Sequence, residues 1–253
     1  MLHFYRKMRK ALIPESRFGR YFFYALGEIV LVVIGILIAL QLNSWNADRI
    51  NKKTEHEYIL RLAIEIKSEI QYLEVLKNEF KKSQEGLERI LTIWKSDTPL
   101  INDSLQYIND FYSAGDIDPW YNEPVTWTQL VQTGDLKLIS DQKLIDELFT
   151  YYANLKKSAV NYEGFPYDIR KEARLNWTKP FINKSVTRPV PVDFYHIAPK
   201  EVFDYIWINR ADYQNLYTAI AYSSVVNYQL TENNIKMAKD VLKSLEMFLD
   251  KNK

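Results

Sequence analysis

Residues 22–42 read FFYALGEIVLVVIGILIALQL, and this run constrains the chain more than any other segment: 21 residues, one charge and no proline. At 1.5 Å per residue such a helix covers roughly 31 Å, the thickness of a bilayer's hydrocarbon core. Glu28 opposes insertion by about 2.5–3.5 kcal/mol if central. The eleven Ile, Val and Leu residues after it supply roughly −3 to −6 kcal/mol together, and Glu28 sits less than two turns from the start. Insertion is favoured.

Tyr21 to Tyr24 at one end and Trp45 at the other supply the aromatic belt of a span. A cleaved signal peptide would carry a shorter apolar region ending at small residues. Leu40-Gln41-Leu42 offers no such site, so the run reads as an uncleaved anchor. Arg6, Lys7, Arg9, Lys10, Arg17 and Arg20 precede it, and Arg49, Lys52, Lys53 and Arg61 follow. The positive-inside rule then puts the N-terminus in the cytoplasm and the large domain outside. The expected division is a basic cytoplasmic tail at 1–21, an anchor at 22–44 and an extracytoplasmic domain at 45–253. Phe4, Tyr5, Met8 and Leu12 recur at helical spacing among the basic residues, which suits a short interfacial helix ended by Pro14.

Beyond the run the balance is mildly acidic, 27 basic against 30 acidic residues. That argues against a nucleic-acid-binding body, which needs a basic face. The basic tip implies a membrane surface instead. The chain has no cysteine, which excludes disulfides, thiolate nucleophiles and Cys-based metal sites.

The basic start, the GEIVLVVIGILIAL stretch and the Asn-Ser-Trp-Asn…Arg exit resemble a Bacteroidota family of single-span membrane proteins of unknown function. Trp127-Thr-Gln-Leu-Val-Gln-Thr-Gly134-Asp-Leu-Lys-Leu-Ile139 is similar to that family's second hallmark. The resemblance implies an inner-membrane protein with its body in the periplasm, and it supplies no activity and no site residues.

The body predicts long helices. Ile59, Leu62, Ile66, Leu73, Leu76, Phe80, Leu87, Ile90 and Trp94 step alternately by three and four if Glu69 and Ser83 fill two vacant places. Such spacing marks a coiled-coil or bundle seam. No proline lies between Glu15 and Pro99, so one helix can run from the membrane to about Lys95. Tyr228, Thr231, Ile235, Ala238, Leu242, Leu245 and Leu249 form a second seam, extended upstream by Tyr217, Ala221 and Ser224. Two seams at opposite ends of one chain invite antiparallel pairing. Between them, Pro124 suits the first turn of a helix ending at an αL cap on Gly134, and Ser140 or Asp141 can cap a helix reaching about Tyr162. Asp97–Leu100 and Gly115–Pro119 read as loops, and the proline-rich stretch from Lys179 to Pro199 as extended or loop, with room for one short strand. The expected fold is all-α: a single transmembrane helix continuing into a bundle of four or more helices.

Two groups of residues carry functional hypotheses. Glu28, Gly35 and Ala39 share one helix stripe, and Gly35-xxx-Ala39 is a small-xxx-small pair, so the stripe is a candidate transmembrane interface. Its bland reading is an acid near the headgroups that snorkels or pairs with Arg17 or Arg20. Asp116, Asp118, Trp120, Tyr121, Glu123 and Trp127 could line a ligand pocket with aromatic walls and a few carboxylates. Their bland reading is a loop folded over a helix end, rings in the core. No catalytic, cofactor or metal-binding residue is assigned: His3, His56 and His196 are isolated, and no phosphate-cradle or nucleophile motif occurs. The expected role is a membrane-anchored, non-enzymatic scaffold or accessory protein, homo-oligomeric or bound to a partner membrane protein. The alternative is a ligand-sensing helical domain signalling through a partner.

Overall fold

The computed structural model describes residues 17–98, 103–116, 123–177, 179 and 199–251. Among these residues the chain is all-helical, as the spacing predicts, and contains no strand. Seven α-helices follow one another: α1 Arg17–Trp94, α2 Ser104–Ser113, α3 Val125–Thr133, α4 Gln142–Glu163, α5 Phe165–Asn176, α6 Pro199–Ile208 and α7 Arg210–Lys251. A short 3-10 turn, Asp135–Leu138, separates α3 from α4. The chain divides into two compact units, Met1–His56 and Glu57–Lys253.

In the first unit, α1 is long and apolar enough to cross a membrane. Its apolar side chains are uncovered by protein: Leu31 is 71% exposed, Leu40 60% and Val32 58%. Contiguous apolar surface on this scale is foreign to a water-facing helix. The interfacial helix expected around residues 4–12 lies outside the described residues.

In the second unit, the three-four seam of α1 is buried throughout, from Ile59 to Trp94. Ser83 fills its vacant place buried, and Glu69 fills the other half-buried. α7 runs antiparallel to this part of α1, because the partners of successive α1 residues descend along α7. Lys67 Nζ meets Glu246 at 2.8 Å, Lys239 Nζ meets Glu74 at 3.0 Å, and the Ser83 and Ser224 hydroxyls lie 3.2 Å apart. The buried face of α7 is wider than its predicted seam. Asn227, Asn234 and Val241 are buried, whereas Tyr228, Leu242 and Leu249 are only partly covered. The reason is that α7 also packs against α4 and α5, so more than one stripe is covered.

Local signals start and stop these helices. Asp141 Oδ1 accepts from the Leu144 N–H and caps α4, while Pro124 precedes α3 and Gly134, at φ 74°, closes it in the left-handed region. Asp103 caps α2 by accepting from Leu105 and Gln106 N–H groups. Two close approaches need glycine. A Cβ on Gly86 would stand 2.9 Å from Asp110 Oδ1, a carboxylate held by Arg89 at 2.7 and 2.8 Å. A Cβ on Gly115, after α2, would stand 2.8 Å from the Arg174 backbone nitrogen in α5. Asp97 and Thr98 are bends as read, residues 99–102 lie outside the described residues, and Pro199 opens α6 at the end of the expected extended stretch.

The apolar interior falls into two clusters. One joins Tyr58 to Phe80 of α1 with Trp127, Leu130, Ile139, α4 and Ile235 to Leu245 of α7. The other joins Leu87 to Trp94 with α2, α5, α6 and Tyr213 to Ile220. Each fully buried Leu or Ile here contributes roughly 1.5–3 kcal/mol of hydrophobic free energy.

Candidate functional site

Between the two clusters the interior is polar. On α1, Ser83 separates Phe80 from Leu87; on α7, Ser223, Ser224, Asn227, Thr231 and Asn234 occupy the buried face between Ile220 and Ile235. Most of these groups satisfy themselves locally. Asn227 Nδ2 donates to the Ser223 carbonyl at 2.8 Å, and Thr231 Oγ1 to the Asn227 carbonyl at 2.7 Å. Asn234 Nδ2 reaches across to Ser158 Oγ of α4 at 3.0 Å, leaving its own Oδ1 buried and unpaired.

Arg170 of α5 enters this layer. It is 2% exposed, among the largest fully buried side chains. Its Nη2 donates to Ser224 Oγ at 2.6 Å and its Nη1 to Ser83 Oγ at 3.4 Å, and the guanidinium lies 5.7 Å from the Phe80 ring centroid. The Ser224 hydroxyl donates to the Ile220 carbonyl at 2.9 Å, so its proton is committed and Ser83 is the donor between the two serines. Nε has no partner. Two of five N–H donors are therefore engaged, and among the described residues no carboxylate lies within ion-pair distance. Burial lowers the Arg170 pKa below its usual value, against weak support from Tyr162 and Asp116. Beside the guanidinium is a cavity of 170 Å³, lined by Leu76, Phe80 and Tyr162, by Ser83 and Ser113, and by Glu79, Lys82 and Asp116.

Of the residues expected to line a pocket, Asp116 does so, in this cavity. Asp118, Trp120 and Tyr121 lie outside the described residues, and Glu123 is exposed. Trp127 belongs to the other cluster. It stacks on Tyr152 at 5.0 Å and meets Phe149 edge-on at 4.8 Å, so it serves as core. Its segment docks on α1 through a row of polar contacts. Tyr58 Oη donates to Asp135 at 2.8 Å, Arg61 Nη2 to Gln129 at 2.9 Å, and the Thr126 N–H to Glu65 at 2.8 Å. Glu69 continues that row by accepting from Tyr151 Oη at 2.6 Å. Burial pushes the Glu69 carboxyl up to about 7, the Tyr151 hydrogen bond opposing and the Glu65 charge adding.

Glu28, Gly35 and Ala39 are all exposed on α1, and nothing stands within 4 Å of the Cβ direction of Gly35. The stripe is uncovered within one chain. Arg170 was missed because an arginine on an amphipathic helix reads as a solvated face. Its signal was the i, i+3 and i+7 run Arg170, Ala173, Trp177 beside the buried Ile169 and Asn176, together with a serine in a seam place. No family model, curated protein or solved structure matches this chain.

Proposed function

We propose that this chain is a membrane-anchored, non-enzymatic helical protein of the cell envelope that works by binding partners. In this reading residues 22–44 span the inner membrane with the N-terminus cytoplasmic, and a helical bundle stands in the periplasm. The observation that carries it is the uncovered apolar surface of residues 26–42 on a helix long and apolar enough to cross a membrane. Buried seams account for the core helices, and lipid or another membrane helix would account for residues 26–42. The resemblance of the anchor and of the Trp127–Ile139 segment to single-span proteins of the Bacteroidota supports the choice of membrane.

The uncovered Glu28, Gly35 and Ala39 stripe is the self-association or partner-helix face. A small-xxx-small pair lets backbones approach closely, and a bulky side chain prevents it. Gly35→Ile should reduce cross-linked oligomer in native membranes several-fold while leaving the protein membrane-bound. Unchanged cross-linking would sink this interface.

A second reading, a sensing domain acting through a partner's helix, is favoured by one observation: the cavity beside Arg170, whose Nε has no partner among the described residues. A ligand that altered the partner cross-linking pattern would favour sensing, and a constant partner with no ligand effect would favour scaffolding.

A further inference from the structure

Arginine does not lose its proton inside a protein, so the Arg170 guanidinium remains a cation in the interior. Buried charges are normally paired, and a lone one is strongly unfavourable. Among the described residues its hydrogen-bond partners are two neutral serine hydroxyls, three of the five N–H donors, Nε among them, have none, and the Asp116 charge acts on it through space. An anion that met these N–H groups would complete the hydrogen bonding of the cation and neutralise its charge. The neighbouring cavity has room for one.

The cavity walls decide what kind of anion. At 170 Å³ it holds about five waters at roughly 30 Å³ each, or one small organic molecule. One wall is hydrocarbon and aromatic, with Phe80 and Tyr162 packed edge to face at 5.6 Å beside Leu76. The Asp116 and Glu79 carboxylates in the lining oppose a dianion. Lys82 stands in the lining with its side chain 72% exposed, paired to Glu79 at 2.9 Å, and supplies a positive group on the solvent side. A planar monoanion suits the guanidinium fork better than a tetrahedral dianion does here.

We propose that the Arg170 cavity is a binding site for a small organic monocarboxylate. Its carboxylate meets the uncommitted guanidinium N–H groups, and its short hydrocarbon part lies against Leu76, Phe80 and Tyr162. The proposal deepens the sensing reading by naming the ligand class, and it does not depend on the anchor.

The test uses the full chain in detergent, followed by thermal unfolding and by saturation-transfer NMR with sodium butyrate as the probe. Sodium chloride and sodium phosphate at equal ionic strength are the controls. The expected result is a saturable rise in Tm with butyrate, exceeding that with either control. Arg170→Met, an apolar replacement that buried ions often tolerate, should fold and bind butyrate roughly tenfold or more weakly. Ser113→Trp fills the cavity without touching the serines that hold Arg170, and should lose the response too. If Arg170→Met does not fold, Ser113→Trp decides alone. The proposal is overturned by no butyrate effect on the wild type, by an equal effect in both variants, or by a larger effect of phosphate. A butyrate response in a protein that fails to stay in membranes would overturn the anchoring reading and leave this site standing.

Discussion

Glu69 takes a seam place that a leucine would normally hold, and its burial favours the neutral acid. With its pKa raised from 4.5 to about 7, the folded state binds more protons than the unfolded state between those two values. Stability therefore falls as pH rises from about 4.5 to about 7, and the loss is complete above that window. The full shift corresponds to roughly 3 kcal/mol at 1.36 kcal/mol per unit. Residual solvent contact reduces this to about 1–2 kcal/mol. Glu69→Gln keeps an acceptor for Tyr151 and removes the charge. It should raise stability by about 1 kcal/mol at pH 8 and change little at pH 4.5, measured by urea unfolding at the two pH values. A gain of equal size at both would show that charge is not the cause. Arg170 is the opposite case, a cation that cannot neutralise itself.

At the scale of elements, α1 and α7 were legible because long seams repeat a physical requirement every three or four residues, and α4 was legible from its cap. Each missed place would expose apolar surface or bury a charge. The caps at Asp141 and Gly134 were legible for a local reason, since the hydrogen bond and the φ above zero are properties of single residues. The polar layer was harder to see. Asn227 and Asn234 lie off the predicted stripe, and only contact with α4 and α5 makes them interior. Of the residues expected to form a pocket, Asp116 lines a cavity and Trp127 is core, stacked on Tyr152 and edge-on to Phe149. Gly115 read as a loop signal, whereas its larger role is to let the end of α2 touch α5. Gly115→Ala should cost roughly 2 kcal/mol, because the clash is with backbone that cannot swing aside. A change below about 0.5 kcal/mol in Tm-derived stability would mean that the approach is looser than its 2.8 Å distance indicates.

On the proposed anchoring, the whole molecule answers to two solvents in one chain. Residues 26–42 bear apolar side chains with no protein cover, and Glu57–Lys253 forms a separate compact unit with its own interior. A bilayer for the first unit and water for the second satisfy both. The most direct check combines membrane retention with sidedness, using the absence of native cysteine. Lys157→Cys, at an exposed position of α4, and His3→Cys, before the apolar run, would be produced separately in the native host. Membranes would be washed in alkaline carbonate, and parallel spheroplasts treated with a membrane-impermeant maleimide. Anchoring with the body outside predicts that both proteins stay in the washed membrane, that Cys at 157 is labelled in intact spheroplasts, and that Cys at 3 is labelled only after lysis. Release into the carbonate supernatant would contradict the anchor, and labelling of position 3 with protection of position 157 would reverse the orientation.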